Sequence, residues 1–88
     1  MDRKEITDEA MLASIRQVEV WLGKRLQQKG YGTFSSTHEI RGVIDDEFEE
    51  LKEALHEKDM NKIYWELRDV AVGCVFAMAC LKEGTLDW

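Results

Sequence analysis

The sequence predicts an all-α protein, a small helical bundle completed by homo-oligomerisation. Three observations lead there. The 88 residues include no proline. Apolar residues recur at steps of three and four in three successive segments, the period of a helix buried along one face. No run of Val, Ile or Thr alternates between turn residues as a strand would. A single domain over residues 1–88 is expected at this length, and its core is small. Apolar surface beyond the needs of that core therefore points to a subunit interface.

The first helix is expected from Thr7 or Asp8, either of which can cap it, to about Lys29. Its apolar stripe is Met11, Ile15, Val18, Leu22 and Leu26. "KGYGTFSS" breaks the pattern, with Gly30 as terminator and Gly32 permitting a turn. The second helix starts at Ser36, and Glu39 three residues later completes a capping-box signature. Its stripe is Ile40, Ile44, Phe48, Leu51 and Leu55, and it ends in the polar "HEKD". Asp59 caps the third helix, which runs to about Lys82 and stops at Gly84. Ile63, Leu67, Val70, Cys74, Ala77 and Leu81 form its expected stripe.

From Val70 onward the third helix is apolar all round, because Val72, Val75, Phe76 and Ala79 lie off that stripe. A helix without a polar face has to be covered on every side. Two companion helices cannot do so, which implies a dimer or tetramer with this segment inside.

A net charge of −6 disfavours duplex nucleic acid, since phosphate contacts need a basic face. The longest apolar run, "VAVGCVFAMACL", has 12 residues, whereas a membrane span takes about 20. Cys74 and Cys80 cannot bridge each other six residues apart on one helix. They read as buried thiols of a cytoplasmic protein.

The acids of the second and third helices are not all alike. With Ile44, Phe48, Leu51 and Leu55 taken as the buried direction, Glu47 lies about 60–70° to one side, at the edge of the core. Glu50 lies farther round the same side, while Glu49 and Glu53 point to solvent. On the third helix Glu66 and Asp69 occupy the same offsets. A short loop makes the two helices antiparallel, with a pivot near residue 58. Glu50 and Glu66 are each eight residues from that pivot, and Glu47 and Asp69 each eleven. The register therefore brings Glu47, Glu50, Glu66 and Asp69 to one level. Four crowded carboxylates need protons or a hard cation. An oxygen-only donor set favours Mg²⁺ or Mn²⁺, with Ca²⁺ also in range, over zinc.

"DEFEELKEAL" followed by "ELRD" resembles the EExxE…ExxD pattern of the MazG-like, all-α nucleoside triphosphate pyrophosphohydrolases. The likeness covers roughly residues 38–81, more loosely the first helix and its "KGYG" turn. Asp46 stands where many relatives carry the first Glu. The resemblance implies Mg²⁺-dependent cleavage between the α and β phosphates of a nucleotide, giving a monophosphate and pyrophosphate. It also implies oligomers with substrate pockets between subunits. Glu47, Glu50, Glu66 and Asp69 would then be the metal ligands, and Glu50 or Glu47, if left free of metal, the residue that activates water.

Lys62, Lys24 and Arg25, with Lys29, are candidate phosphate contacts. A Lys62–Glu66 surface pair and cations complementing the dipole of the first helix are the plainer readings. Trp21, Tyr31, Phe34 and Trp65 are candidates to stack on a base, although packing explains each as well. Gly73 leaves space beside the acids for substrate or a neighbouring helix. Glu53 and His56 have the E-x-x-H spacing of di-iron carboxylate bundles. A non-catalytic helical interaction module with an acidic face is the main alternative to an enzyme, and a carboxylate-bridged metal protein is the other.

Overall fold

Side-chain caps set the start of every helix. In the computed structural model, which describes residues 2–86, Thr7 Oγ1 accepts from Ala10 N, Ser36 Oγ from Glu39 N and Asp59 Oδ1 from Lys62 N. Each bond satisfies a donor the first helical turn would otherwise leave unpaired. The helices are α1 (Asp8–Lys29), α2 (Thr37–Glu57) and α3 (Met60–Glu83), and the described residues contain no strand. Residues 1, 87 and 88 of the expected domain lie outside the described range. The capping box is displaced by one residue from its expected form. Glu39 Oε2 accepts from Ser35, through both its backbone N and its Oγ.

Gly30 and Gly84 end α1 and α3 with positive φ, where a Cβ would be strained. Lys58 ends α2 in the same left-handed region, at φ 58°. An L side chain there costs about 1–2 kcal/mol, part of which glycine's greater backbone entropy offsets. Lys58→Gly is therefore expected to stabilise the hairpin by roughly 0.5–1 kcal/mol, read as a higher midpoint in thermal unfolding.

α3 is the central element. It packs on α2 along one side and on α1 along another, and among the described residues α1 and α2 do not pack on each other. Ile63, Val70, Gly73, Ala77 and Cys80, spaced by sevens, threes and fours, share the side toward α2. The two backbones approach closely at Gly73, where a Cβ would lie 3.2 Å from Ile44 Cδ1. Ile44 of the neighbouring helix takes part of the space expected beside Gly73, and a cleft of ≈ 120 Å³ lies along the rest. Toward α1, Val72 is wholly buried at 0% exposure, and Phe76 meets the connecting segment through an edge-to-face contact with Phe34, centroids 5.0 Å apart. Phe34 N donates to Cys80 Sγ at 3.4 Å, fastening that segment to α3.

The expected α3 stripe is corrected by this arrangement. Leu67 and Leu81 are 51% and 62% exposed, and Cys74 is an exposed thiol whereas Cys80 is buried. A helix held on two sides buries two stripes; Cys74 and Leu81 fall outside both, and Leu67 lies on the edge of a groove beside Ser14, Gln17 and Val18 of α1. Phe48 and Leu55 on α2, and Met11 and Ile15 on α1, are likewise about half exposed.

What remains is an uncovered apolar face. Met60, Tyr64, Leu67, Cys74, Met78 and Leu81 are all exposed and follow one another at heptad-like spacing, with Ala71 filling the gap. On the helical wheel Phe48 and Leu55 border it from α2, on the side of the hairpin opposite α1. The chain exposes 7191 Å², whereas a compact monomer of 10.3 kDa exposes about 5,400 Å². Its radius of gyration is 15.0 Å, against about 12 Å for a compact chain of this length. Among the described residues, no helix is long and apolar enough to cross a membrane.

Candidate functional site

The hairpin places its acids as the register requires. Lys58 and Asp59 alone separate α2 from α3, so the pivot falls at the expected residue. Glu66 and Asp69 sit one turn apart on α3, and Glu47 meets them from α2. One carboxylate oxygen from each of these three half-buried residues lies within 4.8 Å of the other two. Glu47 Oε2 and Glu66 Oε2 are shielded from solvent and find no hydrogen-bond partner among the described residues. Buried acceptors are seldom left in that state, and each such atom has a cost unless something satisfies it.

Electrostatics reflect the crowding. Burial raises the pKa of Glu47 above the usual carboxylate value, and the charges of Asp69 and Glu50 raise it further. Arg25 and Lys29 pull the other way. Glu66 is also raised, first by burial, then by the charge of Glu50, by Asp69 and by a hydrogen bond shared with Glu50. Such a bond exists only while one of the two carboxyls holds a proton. Glu50 itself is exposed and stands outside the close triad. Of the four expected acids, three converge and the fourth flanks them.

Trp21, Arg25, Gln28 and Lys29 of α1 face Glu47 and Asp69 across a cleft of ≈ 170 Å³. A second cleft of ≈ 120 Å³ shares Arg25 and Lys29 and continues over Gly30, Phe34 and Phe76. Carboxylates from the hairpin and cations from α1 therefore bound the first cleft, and the same two cations also line the second, a largely apolar hollow.

The remaining candidates are placed differently. Lys62 donates to Glu57 at 3.1 Å, not to Glu66, because the turn brings the end of α2 back over the first turn of α3. It belongs to the loop end and does not reach the triad. Lys24 is exposed and rests 5.5 Å from the Trp21 ring centroid. Glu49 pairs with Lys52 at 2.8 Å on the surface, and Glu53 and His56 are exposed, outside the carboxylate triad. Tyr31 is largely exposed, and Trp65 stacks edge-on against Tyr64.

One residue the sequence reading passed over lies at the triad's edge. Arg68 donates from both Nε and a terminal nitrogen to Asp69 Oδ1, at 3.1 and 3.0 Å. Its guanidinium stacks 3.8 Å from the Trp21 centroid and 4.7 Å from that of Trp65. The signal available in the sequence was Trp65-x-x-Arg68, an aromatic and a cation one helical turn apart.

No family model, no curated protein and no solved structure matches the chain.

Proposed function

We propose that the protein is a divalent-cation-dependent nucleoside triphosphate pyrophosphohydrolase, cleaving the α–β anhydride to give a nucleoside monophosphate and pyrophosphate. The observation that carries this reading is the meeting of Glu47, Glu66 and Asp69 within 4.8 Å, with two of their oxygens buried and unsatisfied. An all-oxygen donor set of that kind fits Mg²⁺ or Mn²⁺. Glu47, Glu66 and Asp69 would hold the ion. Bound there, it would supply positive charge to offset what builds on the phosphate oxygens.

The chain's own residues supply the rest. Arg25 and Lys29 line the opening and can bind phosphate oxygens that the acids alone would repel. The apolar hollow beyond them suits a base or sugar. Glu50 is the carboxylate outside the triad, exposed to water and coupled to Glu66. It takes the proton of the attacking water while the water oxygen bonds to phosphorus and pyrophosphate leaves. Release of pyrophosphate from a panel of nucleoside triphosphates with Mg²⁺ tests the reading. Turnover of at least one of them, abolished by chelation, is the expected result. No turnover across the panel by the folded protein favours the interaction module.

We infer that the working form is a homo-oligomer. The uncovered α3 face supports this, as does the surface in excess of a compact monomer, about 1,800 Å² from the 7191 Å² exposed. A standard interface removes about 800 Å² per partner, and obligate ones more.

A further inference from the structure

We propose that Arg68 is a positioning residue for the carboxylate triad. Held between the indoles of Trp21 and Trp65, it fixes Asp69 by a single oxygen and leaves the other oxygen for a bound cation. The inference rests on reading the triad as a cation site, and it adds how α1 controls that site.

Both guanidinium donors converge on Oδ1 of Asp69, so Oδ2 is untouched by Arg68. An aspartate tied in this way cannot turn freely about its side chain. Arg68 cannot follow it outward either, since rings from two helices hold the guanidinium. Trp21 comes from α1 and Trp65 lies one turn back on α3. The Arg68 and Asp69 side chains are only 14% and 25% exposed, which removes much of the water that would weaken the pair. Neighbours on the chain seldom pair with this geometry, because successive helical side chains point about 100° apart. Here the stack bends the guanidinium back toward Asp69. Lysine offers one point charge and neither the planar fork nor the stacking face, so Arg68→Lys preserves charge and removes the clamp.

Tb³⁺, a hard oxygen-seeking cation excited by nearby indoles, reports on this arrangement because Trp21 lines the cleft with Glu47 and Asp69. Luminescence titration gives affinity, and decay rates in H₂O and D₂O give the number of coordinated waters. Arg68→Lys is expected to weaken binding by about 10-fold or more, as loss of an orienting partner does at metal sites, and to add one coordinated water where Asp69 swings away. Trp65→Ala, at a half-exposed position, opens the stack without changing charge and is expected to shift both readouts the same way. Should Arg68→Lys fail to fold, Trp65→Ala decides alone. Unchanged affinity and hydration in the folded variants would overturn the clamp while leaving the cation site in place. Weaker binding at unchanged hydration would also overturn it, since charge or stability alone would then be at work. Absence of sensitised emission from the folded wild type would overturn the cation site and the clamp together.

Discussion

Without divalent cations, Glu66→Gln unfolds at a higher temperature than the wild type; with millimolar Mg²⁺ the order reverses. Burial, then neighbouring carboxylates, raise the pKa values of Glu47 and Glu66. Between the ordinary carboxylate value of 4.5 and the raised ones, the folded chain holds more protons than the unfolded chain. Stability then falls as pH rises. The contribution is fully present below the ordinary value and is lost as pH climbs through the raised values. Above the raised values the cation-free protein carries the whole repulsive cost. A neutral amide at position 66 removes a charge from the triad and supplies donors for the stranded oxygens. Subtracting the variant's stability-versus-pH curve from the wild type's isolates this term from the other acids.

Added cation acts on the wild type in the opposite sense. An ion that binds only the folded state stabilises by RT ln(1 + [L]/Kd), about 1.4 kcal/mol at a tenfold excess over Kd. That corresponds to roughly 6–10 °C in a domain of this size. Glu66→Gln and Glu47→Gln lose this response, whereas Glu49→Gln, in a surface pair with Lys52, keeps it. Thermal melts with chelator or with Mg²⁺ read both effects. If Glu66→Gln melts below the wild type under both conditions, the acids are not held in mutual repulsion and the cation reading fails.

Met78→Glu is expected to dissociate the oligomer into 10.3 kDa chains with the carboxylate triad intact. Met78 is 63% exposed in the single chain, toward the C-terminal end of the apolar heptad-like face. It stands nine residues past Asp69, about 13 Å along the helix axis. An uncompensated charge buried in an interface costs about 3–5 kcal/mol, or roughly 10²–10⁴-fold in dissociation constant. A two-fold interface contains the change twice. Sedimentation velocity over a concentration series provides the measurement. A wild type already monomeric at high concentration, or a variant of unchanged mass, would rule this face out as the interface.

Local features were legible in the sequence because they are set by near neighbours. Thr7, Ser36 and Asp59 cap their helices through bonds to residues three positions on, and Gly30 and Gly84 close theirs by backbone conformation. The meeting of Glu47, Glu66 and Asp69 was legible too, since a short turn fixes register and register fixes level. Orientation of α3 was not. "VAVGCVFAMACL" has no polar side to mark its exposed face, so Cys74 and Leu81 fit an inward stripe with Ala77 as readily as Gly73 and Cys80 do. Only the placement of α1 against α3 separates them. Lys62 was misread because its partner, Glu57, approaches across the turn and not along one helix. Arg68 was missed because its meaning depends on Trp21, 47 positions earlier in the chain.

The acids and the bases of the cleft belong to different parts of the chain. Glu47, Glu66 and Asp69 ride on the α2–α3 hairpin, while Arg25 and Lys29 ride on α1, which rests on α3 alone. On the proposed reading, exchange of Arg25 or Lys29 would alter which anions are admitted, whereas Trp21, also on α1, bears on Asp69 through Arg68. In a laboratory setting, Arg25 and Lys29 are where selectivity would be re-tuned, and Trp21 and the hairpin are what must be left alone.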